Sequence, residues 1–332
     1  MPLTAYFRFM SKEANLLSGF VPYKLFREEG DVFCRWLDTG REPFLEPFFD
    51  ETILRCRALS SNNRFFRSIS EMSMLPGWAS QFSSATPQAL IFHLSRCGST
   101  LLTQLLALDE QNISLSEVPF FDELLRLPVQ QPGFPLNTAE EWLEAAIKFY
   151  GRPKTGSESR LFIKTDCWHI FFFETWRKLF PEVPVVLLYR SPDEVLRSQQ
   201  KRRGMQSVPG LVESSIFGIE ASAIRYDDFD HYFSMVMQNI LRRFLEVAEK
   251  DDRVLLANYN EGMINVAKRI GHAAGITWDE DILRKMEERS RYHAKYPDQA
   301  FSGDTHSGKG PIDLDQCMRY YQQLEEKRKV SG

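Results

Sequence analysis

Residues 93–102 read HLSRCGSTLL and continue from the end of the apolar run ALIFHL at 89–94. The chain is delivered into Ser95, Arg96, Cys97, Gly98, Ser99 and Thr100, a set suited to holding an anion. Gly98 lets the backbone turn tightly and approach a ligand closely. The amides after it open a helix, whose N-terminus points donors and a positive dipole at negative charge. Arg96 supplies a bidentate fork for oxygens. The hydroxyls of Ser99 and Thr100 can cap the helix and donate to the ligand. The Gly-Lys-Ser/Thr end of the nucleotide-hydrolase pattern is missing, which argues against ATP hydrolysis. The plain alternative is a helix start after a strand, with Ser99 as its cap.

Two further stretches carry cations in the same kind of place. In LLYRSPDEVLRSQQKRRG (187–204), Arg190 leaves a strand end and Pro192 stands where a first helical residue would. Ser198 follows Arg190 by eight residues, and Arg197, Lys201, Arg202 and Arg203 form a dense basic run. Such a run is ordinarily a solvated helix face; at the end of a central strand it would meet a second phosphate. In FIKTDCWHIFF (162–172), Lys164 sits at another strand end. A lysine there is a point charge that stabilises a leaving phosphate oxygen.

The elements that must position these residues alternate. Strands are expected over 89–94, 113–117, 161–166, 183–189 and 253–259. Helices are expected over 99–108, over 137–150 with Asn137 or Thr138 as cap, from the third strand to Phe180, from Pro192, and over 218–250. This predicts an α/β, P-loop-like three-layer fold with a central parallel sheet and a helix-rich C-terminal part. Ligands in such folds lie beyond the carboxyl ends of strands, where each motif falls. The turn-rich SSATPQ at 83–88 marks a boundary. Residues 1–85 form an N-terminal appendage, helix-like from Asp50, and 86–332 the main domain. The phenylalanines of the appendage (Phe44, Phe48, Phe49, Phe65, Phe66) are too many for a solvated tail.

Composition narrows the partners. The chain has 332 residues and a net charge of −4, so no global attraction to nucleic acid or anionic membrane is expected. Five scattered cysteines without C-x-x-C spacing argue against a disulfide framework or zinc site and for a reducing compartment. The histidines show no paired spacing, so no metal is expected. No apolar run approaches about 18 residues, so no membrane span is expected. With no signal sequence apparent, a cytoplasmic location is expected.

Together the three stretches resemble the sulfotransferase superfamily, which uses 3′-phosphoadenosine 5′-phosphosulfate (PAPS) as donor and leaves 3′,5′-adenosine bisphosphate (PAP). Ser95–Leu102 is similar to its 5′-phosphosulfate loop, in the R-x-G-[ST]-T form of protein-tyrosine and many bacterial members. Arg190 and Ser198 match its 3′-phosphate motif. VLLANYNEGM (254–263) is similar to a later segment of the family, with Tyr259 at its aromatic position. The resemblance implies that Ser95, Arg96, Cys97, Gly98, Ser99, Thr100, Arg190, Ser198, Arg202, Tyr259 and Lys309 bind the donor. Lys309, in SGDTHSGKG, is a poor match to the family's basic C-terminal loop. It also implies sulfonate transfer to a small-molecule or peptide hydroxyl, or an amine, with no metal, and with Lys164 and Arg96 catalytic.

An attacking hydroxyl must lose a proton, and a carboxylate can take it. Glu117 ends the second strand, 21 residues after Arg96, close to the offset of the base in the tyrosine sulfotransferases. Asp166, two residues after Lys164, is the alternative, and Glu117 could instead cap the next helix. Two other classes stay open: a nucleotide-dependent kinase, and a non-catalytic nucleotide-binding relative.

Overall fold

The computed structural model describes residues 17, 19–63, 68–292 and 312–331. Lys309, Phe65 and Phe66 lie outside them. The chain divides into two compact units, one within Met1–Pro87 and Asp109–Phe162, the other within Gln88–Leu108 and Ile163–Gly332.

The first unit begins with a hairpin of β1 (Phe20–Glu28) and β2 (Asp31–Asp38), to which β3 (Ile69–Glu71) adds. Glu28 pairs with Asp31, so Glu29 and Gly30 alone make the turn, both left-handed at φ 52° and 97°. That is the pattern of a two-residue type I′ turn, which matches the twist of the strands. Helices α1 (Phe49–Arg57), α2 (Leu75–Ala79), α4 (Pro119–Gln130) and α5 (Leu136–Tyr150) and strand β5 (Asn112–Ser116) complete the unit. Its core is aromatic. Phe49 packs edge-on against Phe44 at 5.1 Å and Tyr150 at 5.2 Å, and Trp36 meets Phe149 at 4.9 Å. The Tyr150 hydroxyl donates to the Pro22 carbonyl at 2.6 Å. Helix α5 takes Pro135 at its cap position, not Asn137 or Thr138, because the helix starts one residue earlier.

A five-stranded sheet runs in the order β5-β6-β4-β7-β8, with β4 Thr86–His93, β6 Arg160–Lys164, β7 Val185–Tyr189 and β8 Val254–Asn258. β7 pairs in parallel with β4 (Leu90↔Val185 to His93↔Leu188) and with β8 (Val185↔Val254 to Tyr189↔Asn258). Every residue of β7 is buried, as its unbroken apolar run requires. From β4 the chain goes outward to β5, returns to β6 beside β4, then crosses to β7 on the other side. The carboxyl end of β4 is therefore a switch point, where such sheets leave a crevice.

In the second unit, α3 (Ser99–Leu106) follows β4, and a 3-10 turn over Cys167–Phe172 leads into α6 (Phe173–Leu179). α7 (Pro192–Lys201) follows β7 with Pro192 at its start. The helix expected over 218–250 is shorter: α8 spans Phe229–Lys250. Gly218 is left-handed at φ 67°, and the Asp228 side chain accepts the His231 amide at 3.0 Å, fixing the helix start. α9 (Met263–Ala273), α10 (Glu280–Ser290) and α11 (Asp315–Ser331) give the C-terminal part its helical character.

Candidate functional site

The loop after β4 has an unusual backbone. Ser95 (φ 69°), Arg96 (φ 51°) and Gly98 (φ 85°) are all left-handed. Gly98, not Ser99, holds the N-cap position of α3 and makes no side-chain cap bond; Ser99 and Thr100 are buried in the first turn. The N-cap position therefore supplies no side-chain acceptor to the amides that open the helix. A Cβ on Gly98 would come within 2.8 Å of Tyr259 Cδ2 and 3.0 Å of Met263 Sδ, so the position has room for glycine alone.

His93, the last residue of β4, fastens this turn. Its Nδ1 accepts the Ser95 amide at 3.0 Å, so that nitrogen bears no proton. The proton is then on Nε2, which donates to the Thr165 carbonyl at 3.0 Å. The Thr165 amide in turn donates to the Ile91 carbonyl at 3.1 Å. The loop and the Lys164-Thr165 strand end are thus tied through one neutral imidazole. Lys164 is 1% exposed. Cys97 is buried between these elements and donates to the Leu188 carbonyl at 3.4 Å. Burial pushes its thiol up to about 12 even though the Lys164 and Arg190 charges pull the other way. Cys97 accordingly offers a ligand its backbone and not a thiolate.

At the end of β7 the cation is placed by side chains. The Arg190 guanidinium lies 4.3 Å from the centre of the Tyr259 ring. Its Nε and Nη2 pair with Glu194 at 3.1 and 3.3 Å, and Nη1 reaches the Arg96 carbonyl at 3.4 Å. Tyr189 and Asn258, the residues before Arg190 and Tyr259, both donate to Glu325 Oε1 of α11, at 2.8 and 2.9 Å. Arg328 pairs with the same carboxylate at 2.8 Å. Though burial disfavours that carboxylate's charge, hydrogen bonds from Arg328, Asn258 and Tyr189 hold its pKa down at about 2.

Two members of the basic run at 197–203 are held in ion pairs. Arg197 pairs with Asp193 at 2.8 Å and Arg203 with Asp230 at 2.5 Å. Arg202 meets the loop through its carbonyl, which accepts from the Arg96 guanidinium. Ser198 is half-buried on α7, and its hydroxyl has no hydrogen bond among the described residues. The structure thus brings Ser95, Arg96, Cys97, Gly98, Arg190, Arg202 and Tyr259 together.

The two carboxylates have different settings. Glu117 belongs to the first unit, directly after β5, with φ 53°. The helix that follows takes Val118 as its cap position, with no side-chain cap bond. Within that unit, burial and then the Glu117 charge raise the pKa of Asp50. Asp166 is the cap of the 3-10 turn in a reciprocal box with His169, whose Nδ1 accepts the Asp166 amide at 3.3 Å.

Sequence reading missed His93, Gln199 and Gln206. Gln199 and Gln206 are buried and donate to the Ser95 hydroxyl at 3.1 and 2.8 Å. His93 stood next to the loop and had a signal, a polar residue closing an apolar strand; the glutamines had none. No helix among the described residues is long and apolar enough to cross a membrane.

Fold and site define an α/β protein with a left-handed, glycine-containing loop after β4, at the switch point of its sheet. No family profile and no curated protein sequence matches the chain. Among solved structures it is similar to a sulfotransferase domain from the Synechococcus PCC 7002 olefin synthase, at 17% identity and TM-score 0.44, covering 74% of this chain and 96% of that one. It is similar also to the sulfotransferase domain of the curacin biosynthetic pathway, at 14% identity and TM-score 0.47, covering 73% and 99%. A third is a sulfotransferase from Mycobacterium avium, at 14% identity and TM-score 0.45, covering 76% and 77%.

Proposed function

We propose that the protein is a PAPS-dependent sulfotransferase acting on a hydroxyl or amine acceptor. The observation that carries this reading is the meeting, within one unit, of the left-handed Ser95–Gly98 turn, the β6 end at Lys164 and the stacked Arg190–Tyr259 pair. A donor with anionic groups at two separated positions suits two such anion sites. The 5′-phosphosulfate would take the loop amides, and the 3′-phosphate would take Arg190 and the Ser198 hydroxyl.

In the proposed reaction the acceptor oxygen attacks sulfur in line. A new S–O bond forms, the bond from sulfur to the bridging oxygen breaks, and PAP leaves. Lys164, Arg96 and the loop amides oppose the charge that grows on the leaving phosphate. The acceptor proton goes to Glu117, the proposed base; Asp166 is committed to its cap. The chemistry needs no metal. We further propose that residues 1–85 are an appendage to a catalytic domain over 86–332, and that the protein works in the cytoplasm on a small molecule or peptide.

Thermal shift with PAP in EDTA is the direct test, with ATP–Mg²⁺ as its counterpart. Stabilisation by PAP without metal is expected. Stabilisation by ATP–Mg²⁺ alone would turn the assignment to a kinase. Labelled PAPS offered to a library of hydroxyl compounds then identifies the acceptor.

A further inference from the structure

The Ser95 hydroxyl is hydrogen-bonded in an unusual sense. Its oxygen accepts twice: from Gln199 Nε2 at 3.1 Å and from Gln206 Nε2 at 2.8 Å. The orientation of Gln199 is fixed independently, since its Oε1 accepts the Gly204 amide at 2.7 Å, leaving only its NH₂ to face Ser95. Gln199 is wholly buried and Gln206 is 5% exposed, so neither amide is free to turn toward water. Gly204 is matched to this arrangement: a Cβ there would lie 2.6 Å from Gln206 Oε1.

A hydroxyl has two lone pairs and one proton. With both lone pairs engaged, the Ser95 hydroxyl has only donation left. Both hydrogen bonds that join this hydroxyl to described residues are ones it accepts, which leaves its proton to a ligand. Ser95 itself is half-buried, in the turn that opens α3. We infer that Gln199 and Gln206 are positioning residues that lock Ser95 as a one-way donor to an anionic oxygen held by the loop. The inference deepens the sulfotransferase reading and rests on it for the identity of that oxygen, one on the 5′-phosphosulfate end of the donor. The same two residues join the turn at 202–206 to the loop, beside the Arg96 bond to the Arg202 carbonyl. The loop's shape is thereby coupled to the far end of α7, the helix that starts just after Arg190.

A double-mutant cycle on the full chain tests this, with PAP as probe and adenosine 3′-monophosphate, which lacks the 5′-phosphate, as control. Gln206→Met is the variant to use, because replacing Gln199 also removes the Gly204 bond. Ser95→Ala should weaken PAP binding about ten-fold, the loss of one charge-assisted hydrogen bond. Gln206→Met alone should cost roughly three- to ten-fold, and in the Ser95→Ala background less than about two-fold. The control nucleotide should bind all variants alike. A Gln206→Met loss that persists undiminished in Ser95→Ala, or that extends equally to the control, would overturn the inference and leave Gln206 as a strut. Inorganic pyrophosphate separates the two levels. If it binds in a Ser95-dependent way while PAP does not bind, the sulfotransferase reading fails and the locked donor stands. If neither ligand binds, both fail.

Discussion

The turn between β1 and β2 and the loop after β4 share one backbone anomaly for different reasons. The non-glycine residues with positive φ among the described residues are Glu29, Ser95, Arg96 and Glu117. A side chain in that region costs about 1–2 kcal/mol. At Glu29 the cause is topological: two antiparallel strands joined by two residues need left-handed torsions to follow the sheet twist. Glu29 is exposed, and nothing around it needs to hold the torsion in place. Ser95 and Arg96 close no hairpin. They are pinned by His93 at the Ser95 amide, by Gln199 and Gln206 at the hydroxyl, and by Arg190 at the Arg96 carbonyl. A torsion that the surroundings must enforce belongs to a loop aimed at something. Glu117, left-handed directly after β5, is of this second kind under the reading proposed here.

That assignment carries the largest expected effect. Glu117→Gln keeps size and polarity but accepts no proton near neutral pH. Loss of a general base should lower kcat by about 10²–10⁴ while PAP affinity stays within a few-fold. Asp166→Asn should instead lower melting temperature, because it weakens the cap of the 3-10 turn, and spare most of the rate. Near-normal kcat in Glu117→Gln, with the loss appearing in Asp166→Asn, would exchange the two roles and return Glu117 to the class of Glu29.

Next comes the one glycine of the loop. Gly98→Ala puts a Cβ against Tyr259 and Met263 at 2.8–3.0 Å and keeps φ at 85°. Either the ring moves off Arg190 or the loop unwinds. PAP affinity should fall by more than about ten-fold, since both anion sites are disturbed. Calorimetry showing affinity within two-fold of wild type would mean the loop carries no close ligand. Arg190→Ala removes the side-chain-built site and, of the bonds that pin the loop, only the one to the Arg96 carbonyl. It should weaken PAP by roughly ten-fold and an analogue without the 3′-phosphate by much less. Equal losses for the two would detach Arg190 from that phosphate.

How much of this was visible in the chain follows from the same contrast. Strands such as β7 were legible because an apolar, β-branched run has few other uses, and Arg190 was legible because it leaves that run. The hairpin before residue 40 was not. β1 reads FVPYKLFRE, with Pro22 and charges interrupting any alternation, and it is only partly buried. The helix expected over 218–250 was overextended because Gly218 and Asp228 act through torsion and a cap bond, which residue type suggests but does not fix. The basic run of α7 was legible as charge but not as pairing; Asp230, which takes Arg203, lies 27 residues away. Gln199 and Gln206 carried no signal, because their function lies in a contact with Ser95 across 104 and 111 residues.

The smallest expected effect sharpens the comparison most directly. If the Glu29 torsion answers only to the hairpin, a residue that tolerates left-handed backbone should improve it. Glu29→Asn gives the Asn-Gly pair that type I′ turns favour. For a chain of this size the relief of part of the torsional cost should raise the melting temperature by about 1–3 °C. PAP affinity should not change. The matched substitution in the other region is Ser95→Gly, which relieves the torsion equally well but deletes the hydroxyl that Gln199 and Gln206 hold. Melting curves and PAP titrations of the two variants, run side by side, should therefore separate. Glu29→Asn gains stability at constant affinity, whereas Ser95→Gly loses affinity, and the freed glutamine amides cancel any gain in stability. If Ser95→Gly behaves like Glu29→Asn, with higher melting temperature and unchanged PAP binding, the left-handed turn after β4 is only a way of starting a helix, and the contrast between the two regions disappears.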